Sequence, residues 1–357
     1  MFHFIVVCRA AGARVAGWLL LLAVAVGAGG CASLSRKVIQ GTGHGAAWAV
    51  VPADADYALV TLSTAGGGRL VAQFGQATDA AGAVLADYAR RPTVIYGYPG
   101  GYTLQRSQPE FAAWRRLGVN VIVPEYPGFG MSAGEPGEAG CYAAFDAVYD
   151  YVRQRSDLAA SPVIAAGWSV GGGAAVDLAS RRPVAGLIAI GVSTNIDDVA
   201  RHLAAQRAPF SWLPGWLVGW LAPGCLLDSM AKLPAVSCPV LLVRGEKDEL
   251  IPAAMTDRLA AAAKTPVTRY TVAGARHADI FQVGGPALWQ AVGDWLAALP
   301  GARCTQAPAP HRRISPASGS FSSGVSRQET GKADCRRVQR TAQRRSVSAS
   351  CRAEPKS

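Results

Sequence analysis

The sequence predicts an α/β fold in which helices flank a mostly parallel sheet of eight strands. Between about residues 57 and 300, short apolar segments rich in β-branched residues alternate with helical patterns, and such alternation is typical of successive βαβ units. Gly66-Gly67-Gly68 separates the first two strands and indicates an antiparallel hairpin before the parallel units. Half of the 357 residues are apolar, which suffices for one large core.

The strands are predicted where apolar and β-branched residues form short runs bounded by turn residues. They are Tyr57–Ser63, Arg69–Ala77, Thr93–Tyr98, Asn120–Pro124, Val163–Ala166, Val184–Ile190, Val240–Arg244 and Val267–Val272. The helices are predicted where apolar residues recur at helical spacing. They are Gln108–Leu117, Tyr142–Arg155, Val170–Arg181, Ala253–Ala263 and Pro286–Leu299.

One segment interrupts this alternation. Residues 195–239, between the sixth and seventh strands, hold no clear strand, and Trp212, Trp216 and Trp220 recur at every fourth position. That spacing indicates a helix. We interpret the segment as a short helical lid whose Trp212 and Trp216 line a substrate pocket. The alternative is that this aromatic stripe packs on the body of the domain as core.

The first thirty residues are predicted to be a signal peptide. Arg9 and Arg14 precede a run of twelve apolar or small residues, 15–26, too short to cross a bilayer and typical of a secretory signal. Ala28-Gly29-Gly30-Cys31 resembles a bacterial lipobox, in which Cys31 is lipidated and becomes the mature N-terminus. That resemblance implies a membrane-anchored lipoprotein of the bacterial cell envelope. Since Ala32 rather than Asp follows Cys31, it also implies the outer membrane, facing the periplasm. A plain signal peptide is the alternative.

The net charge of +11 belongs mainly to the C-terminal segment. Residues 302–357 carry twelve basic and three acidic side chains, +9 in all, so the rest of the chain is nearly neutral. This excludes the broad basic face of a nucleic-acid enzyme. Few large apolar residues lie in this segment, and residues 301–357 are predicted to be a disordered basic tail. Residues 31–56 are predicted to be a linker, which leaves 57–300 as the folded domain. The eight cysteines form no metal-binding spacing.

The clearest motif is Gly167-Trp168-Ser169-Val170-Gly171, which follows the fifth predicted strand and opens a helix. Gly-x-Ser-x-Gly in this context is a nucleophile elbow, where small neighbours allow the strand and the helix to approach and the turn to be strained. The helix N-terminus then offers N–H groups to a developing oxyanion. Ser169 is therefore the predicted nucleophile. A bystander serine in a glycine-rich turn is the alternative.

A serine hydroxyl needs a base beside it, and the chain has five histidines. His277 alone follows a strand at the predicted carboxyl edge of the sheet, directly after the last strand. The acid should follow another strand between the serine and the histidine. Glu246, Asp248 and Glu249 follow the seventh strand, and of these carboxylates we predict that Asp248 orients His277.

The oxyanion hole should consist of two main-chain N–H groups. Val170 follows the nucleophile and supplies one. Tyr98, in the loop after the third strand, is predicted to supply the other, because Pro99 has no N–H. Tyr96 and Trp168 are expected to flank the acyl group as pocket residues. An ordinary Gly/Pro turn is the alternative reading of the loop.

With these motifs, residues 57–300 resemble the α/β-hydrolase superfamily, and within it the serine-aminopeptidase-like and depalmitoylase-like branch. Residues 125–132, Glu-Tyr-Pro-Gly-Phe-Gly-Met-Ser, are similar to that branch's Asp-Tyr-Arg-Gly-Tyr-Gly-x-Ser loop, and Leu226-Leu227-Asp228-Ser229 also fits. Tyr96, Glu125, Pro127 and Trp168 depart from the branch pattern. The resemblance implies the α/β-hydrolase fold and a Ser-Asp-His order.

The predicted activity is hydrolysis of a carboxylic ester or thioester through an acyl-enzyme, as in carboxylesterases and thioesterases. No cofactor and no metal are expected, and the substrate should be a small molecule or an acyl ester. A serine peptidase and a cofactor-free perhydrolase use the same triad and remain open. A lipoprotein that keeps the fold only as a binding module is the non-enzyme alternative.

Overall fold

The computed structural model describes residues 57–206 and 226–300, together with Ile39. These residues build one eight-stranded sheet with helices packed on it. The strands are β1 (Tyr57–Ser63), β2 (Arg69–Gly75), β3 (Thr93–Gly97), β4 (Asn120–Pro124), β5 (Val163–Trp168), β6 (Gly186–Ile190), β7 (Val240–Gly245) and β8 (Val267–Val272). Their spatial order is β1-β2-β4-β3-β5-β6-β7-β8.

The sheet is antiparallel at one end and parallel elsewhere. β1 pairs with β2 as a hairpin, with Tyr57 opposite Gly75 and Ser63 opposite Arg69, and β2 runs antiparallel to β4. The strands from β4 through β3 to β8 are all parallel. The predicted fold class is confirmed. Parallel strands end at one edge of the sheet, and loops that follow them at that edge form binding sites in open α/β sheets. We call it the carboxyl edge.

Seven α-helices lie in the described residues. They are α1 (Gln108–Arg116), α2 (Glu138–Gln154), α3 (Val170–Arg181), α4 (Ile196–Gln206), α5 (Ser229–Lys232), α6 (Ala253–Ala262) and α7 (Ile280–Ala297). The last helix begins six residues before the prediction, which placed its start at Pro286. Gly285 has φ 45°, so two helical pieces meet at a kink there. Pro286 begins the second piece. Its ring would disrupt the interior of a continuous helix but is tolerated in a first turn.

The central strands are buried on both faces, as a helix-covered parallel sheet requires. Every residue of β3, β4, β5 and β6 is buried, whereas β1 at the sheet edge is only partly covered. Ile39 belongs to this core although it lies in the predicted linker: its side chain is buried, and its carbonyl accepts the N–H of Gly101 at 2.9 Å. Within the predicted linker, the chain therefore packs on the domain at Ile39.

Several predictions fall outside the described residues. These are the signal peptide 1–30, Cys31, the tail 301–357, and the lid residues Trp212 and Trp216. Of the predicted lid, residues 195–239, the structure describes only α4, α5 and their flanking turns. In the described ranges, no helix is long and apolar enough to cross a membrane. Nor does any group of three or more His, Cys, Asp or Glu side chains there form a candidate metal site.

Candidate active site

Ser169 occupies a strained turn between β5 and α3. Its φ of 54° and ψ of −117° lie where residues with a side chain are seldom found. The turn is fixed on both sides, because the Ser169 N–H donates to the Ile190 carbonyl at 2.8 Å and the Ser169 carbonyl accepts from the Gly173 N–H at 3.0 Å. The strand–turn–helix context predicted for the motif is present.

Glycines make this turn possible by letting three backbone segments touch. A Cβ on Gly167 would lie 2.2 Å from Gly171 C, and one on Gly171 would lie 2.2 Å from the Gly97 carbonyl oxygen. A Cβ on Gly172 would lie 2.2 Å from Val192 Cγ2. Since these distances are far inside van der Waals contact, the elbow fits only without side chains at these positions.

His277 reaches both partners predicted for it. Its Nε2 lies 3.0 Å from Ser169 Oγ, and its Nδ1 lies 2.9 Å from Asp248 Oδ2. The three side chains come from loops after β5, β7 and β8, which meet at the carboxyl edge. The His277 side chain is 13% exposed and that of Asp248 is 1% exposed. An imidazole so placed can take the hydroxyl proton while the carboxylate fixes its tautomer.

The loop after β7 distinguishes Asp248 from its two neighbours. Asp248 Oδ1 accepts the N–H groups of Leu250 at 3.0 Å and Ile251 at 2.7 Å, which leaves Oδ2 for His277. Glu246 and Glu249 are exposed, and Glu246 accepts the N–H of Gly274 at 2.7 Å. Of the three carboxylates, the structure brings only Asp248 to the histidine.

The two residues predicted to form the oxyanion hole lie on segments in contact. Val170 is the first residue of α3, so its N–H has no acceptor within the helix. Gly97, directly before Tyr98, touches Gly171. Tyr126 fixes Tyr98 at both ends, because the Tyr126 OH donates to the Tyr98 carbonyl at 2.9 Å and the Tyr126 N–H donates to the Tyr98 hydroxyl at 3.0 Å. That Tyr98 and Val170 donate to an oxyanion stays a prediction.

The structure does not place Tyr96 and Trp168 as the pocket prediction has them. Tyr96 is fully buried, with its ring 5.8 Å from that of Trp114. Trp168 is 2% exposed and packs edge-on against Tyr102 at 5.4 Å and Phe281 at 5.3 Å. Neither residue lines the cavity at Ser169, because both side chains point into the core. Trp168 instead lies beside His277, with 6.4 Å between the ring centroids.

The cavity at Ser169 is apolar. Its described lining carries no charged side chain and consists of Ser169, Val170, Gly173, Gly191, Val192, Ser193, Ile196, Val199, Leu227, Leu250 and Ile251. Several of these residues come from α4 and from the segment before α5. Such a surface suits a hydrocarbon group and offers no partner for an ammonium or carboxylate group.

Glu125 has a structural role that sequence reasoning missed. The side chain is buried, and its two oxygens accept the N–H groups of Leu104 at 3.1 Å and Met131 at 3.2 Å. Burial raises the pKa of this carboxyl group above its ordinary value. Glu125 thus joins the loop after β3 to the loop after β4. The motif at residues 125–132 is the sequence feature that could have pointed to this role of Glu125.

Leu227, in the cavity wall, has a second structural role that sequence reasoning missed. Its φ of 49° is strained, and its N–H donates to Glu138 Oε1 of α2 at 2.7 Å. A Cβ on Gly173 would lie 3.0 Å from Leu227 Cδ2, so this side chain lies against the first turn of α3. The bond joins residues 89 positions apart, and no local pattern signals it.

Known proteins share the fold and parts of the sequence. Residues 94–226 match the family described as alpha/beta hydrolase fold. An uncharacterised protein of Mycobacterium tuberculosis is 30% identical over 183 residues, which cover 50% of this chain and 60% of that protein. The alpha/beta hydrolase domain-containing protein aho-3 of Caenorhabditis elegans is 29% identical over 164 residues, covering 46% of this chain and 45% of that protein. The matches thus span 60% or less of these relatives.

Among solved structures, the esterase Pf2001 of Pyrococcus furiosus is similar, with a TM-score of 0.57. It shares 16% sequence identity, and the match covers 72% of this chain and 96% of that one. An alpha-beta serine hydrolase homologue from Coxiella burnetii gives a TM-score of 0.50 at 18% identity, covering 70% of this chain and 100% of that one. At such identities the likeness concerns the fold. Sheet order, elbow and family match agree, and the chain has the α/β-hydrolase fold.

Proposed function

We propose that this protein is a serine hydrolase that cleaves carboxylic esters or thioesters through an acyl-enzyme. The observation that carries the proposal is the continuous chain of contacts from Ser169 Oγ to His277 Nε2 at 3.0 Å and from His277 Nδ1 to Asp248 Oδ2 at 2.9 Å. A module that only bound its ligand would need no such alignment of nucleophile, base and acid.

In the proposed mechanism, Ser169 Oγ attacks the substrate carbonyl carbon while His277 Nε2 takes the hydroxyl proton. The tetrahedral oxyanion receives hydrogen bonds from the N–H groups of Val170 and Tyr98. His277 then returns the proton to the leaving alcohol or thiol as the acyl-enzyme forms. Water attacks that ester with His277 again acting as base, and the released acid restores Ser169. Asp248 stabilises the imidazolium in both steps.

The apolar cavity favours an ester over a peptide with a free amino terminus. Aminopeptidase action requires a carboxylate or a similar acceptor to hold the substrate's ammonium group, and the described cavity lining has no charged side chain. The depalmitoylase-like branch, whose substrates carry acyl groups, therefore fits this site better than the aminopeptidase-like branch. Perhydrolysis would use the same three residues and differ only in the nucleophile that releases the acyl group.

A fluorophosphonate probe and p-nitrophenyl esters of increasing acyl length test the proposal. We expect the wild-type protein to be labelled and to cleave the esters, and Ser169→Ala to lose both properties while remaining folded. Ser193→Ala is the matched control, because Ser193 lines the same cavity without a hydrogen bond to His277 in the described structure. A folded wild-type protein that neither reacts with the probe nor cleaves any ester would refute the enzyme. Preferential cleavage of aminoacyl anilides would indicate the peptidase instead.

We further propose that the protein is a lipoprotein of the bacterial outer membrane, anchored through Cys31 and facing the periplasm. The support is the sequence resemblance of residues 28–31 to a lipobox after an apolar run. Replacing Cys31 with Ser should release the protein from the membrane fraction, since the acyl chains that hold it there would be absent. An unchanged membrane fraction would refute the anchor.

A further inference from the structure

Ile39 attaches the N-terminal part of the chain to the loop that follows β3. Its carbonyl accepts the Gly101 N–H at 2.9 Å, and its side chain is 1% exposed within the main core cluster. A buried side chain and a main-chain hydrogen bond together fix this point of the chain on the domain. Ile39 is therefore the place from which any upstream anchor is held.

The attachment point lies at the carboxyl edge, close to the candidate active site. Gly101 follows Tyr98 on the loop predicted to complete the oxyanion hole. The next residue, Tyr102, packs on Trp168 at 5.4 Å, and Trp168 lies 6.4 Å from the His277 ring. The chain thus enters the domain on the side where Ser169, His277 and Asp248 meet.

The distance from Ile39 to the predicted lipidation site is short compared with the domain. Eight residue steps separate Cys31 from Ile39, and even a fully extended chain spans at most about 28 Å over that number of steps. A domain of residues 57–300 has a radius of gyration of about 18 Å and is roughly 45 Å across. An anchor at Cys31 is therefore held within about 28 Å of Ile39 at the carboxyl edge, a distance shorter than the width of the domain.

We infer that the carboxyl edge of the domain faces the membrane that holds Cys31, and that Ser169 acts on ester substrates embedded in that lipid surface. This inference rests on the proposed hydrolase and on the proposed anchor. The apolar cavity supports it, because Val192, Ile196 and Leu227 beside Ser169 offer a hydrocarbon environment to an acyl group that leaves the lipid. The substrate class is then an amphipathic ester with its apolar part in the bilayer.

Energy transfer from the protein to a headgroup-labelled acceptor lipid measures this orientation. The donor dye is attached through Ala273→Cys or through Lys264→Cys, both exposed. They lie at opposite ends of β8, about 20 Å apart, with Ala273 at the carboxyl edge. Cys225 and the three tail cysteines are replaced with Ser in both proteins. On vesicles of phosphatidylethanolamine and phosphatidylglycerol, the lipidated protein should show stronger transfer from position 273. Equal transfer, or stronger transfer from position 264, would overturn the inference.

A longer tether provides the matched perturbation. Twenty Gly/Ser residues inserted between Ser35 and Arg36 leave Ile39 and Gly101 unchanged but remove the length limit, so the difference between the two dye positions should shrink. The same insertion after Ala302 is the control and should leave the difference in energy transfer between the two dye positions unchanged. If the insertion near Cys31 leaves the full difference, the short tether does not set the orientation, and the inference fails.

Two activity measurements separate this inference from the proposals on which it rests. Cys31→Ser should lower cleavage of a vesicle-embedded ester about tenfold or more, because the tether raises the local substrate concentration, and should leave cleavage of p-nitrophenyl acetate unchanged. Equal rates on the embedded ester with and without the anchor would overturn the inference. Fluorophosphonate labelling of Ser169 in the same samples tests the proposed hydrolase activity directly. Failure of the proposed function is thereby distinguished from failure of the membrane-facing orientation.

Discussion

Replacing Gly171 with Ala should damage catalysis far more than it damages stability. A Cβ at this position would lie 2.2 Å from the carbonyl oxygen of Gly97, whereas a relaxed carbon–oxygen contact needs roughly 3.2 Å or more. The segments that carry Val170 and Tyr98 must therefore separate by about 1 Å, and a displacement of that size costs on the order of 100-fold in rate. Loss of one oxyanion donor has a similar cost, about 10²–10³ in kcat.

The expected stability change is smaller. Forcing an extra methyl group into a packed site costs about 1–3 kcal/mol, and in a domain of this size each kcal/mol lowers Tm by about 2–4 °C. The helix propensity of alanine over glycine offsets up to about 1 kcal/mol of that cost. Gly171→Ala should therefore stay folded at 25 °C, react slowly with the fluorophosphonate probe, and lose kcat on p-nitrophenyl esters with little change in KM.

Gly173→Ala is the control, because it makes the same substitution in the same helical turn. The atom nearest to its Cβ would be Leu227 Cδ2 at 3.0 Å, the end of a side chain that can move by a few tenths of an ångström. We expect its rate to stay within a few-fold of wild type. If Gly171→Ala proved as active as wild type, the approach of Gly97 to the elbow would not position the oxyanion hole, and the reasoning would be refuted.

Three further predictions concern carboxylates around the site. In Asp248→Asn the amide oxygen should take the place of Oδ1, which accepts two N–H groups, so the NH₂ faces His277 Nδ1 and imposes the wrong tautomer. We expect kcat to fall about 10⁴-fold with Tm nearly unchanged, and a loss below tenfold in steady-state kinetics would contradict this role. Glu138→Ala removes the acceptor for the Leu227 N–H, so unfolding should require about 1–3 kcal/mol less. The preference among p-nitrophenyl esters of different acyl length should shift because the cavity wall relaxes. An unchanged preference would count against Leu227 as a determinant of acyl-length specificity. Burial raises the pKa of Glu125, so the folded state binds this proton more tightly than the unfolded chain. That contribution to stability is present below the ordinary carboxyl pKa and is lost as pH rises through the folded value. Denaturant titrations from about pH 4 to about pH 7 should therefore show a smaller decline in unfolding free energy for Glu125→Gln than for wild type, and parallel curves would argue against the raised pKa.

Local signals made the elbow and most strands predictable. Gly167, Ser169 and Gly171 lie between a β-branched strand and a helical pattern, and α3 was predicted with the bounds that the structure has, Val170–Arg181. The bounds of β1, β4 and β8 were also predicted. These strand bounds were predictable from local sequence, because residues with a strong strand preference are followed by glycines or polar turn residues.

Properties that depend on distant contacts were not predictable. Tyr96 and Trp168 lie close to the site in sequence. Whether the side chain of such a strand residue packs in the core or faces the cavity depends on which helix covers its face of the sheet. The packing of Ile39 on Gly101 and the bond from Leu227 to Glu138 join segments that share no periodicity. Asp248 was distinguished from Glu246 and Glu249 by its position after the seventh strand, whereas the physical reason, a carboxylate that accepts two N–H groups, exists only in the folded loop.

The glycine contacts at the elbow also restrict how such a site can diverge. At positions 97, 167 and 171 any side chain would collide with main-chain atoms, so replacements cannot accumulate there without moving the backbone itself. Ile196 and Leu227 in the cavity wall contribute through their side chains, so their size can change without a collision of main-chain atoms at the elbow. Descendants of this chain could therefore acquire new substrates by exchanging wall residues while the reaction chemistry stayed fixed.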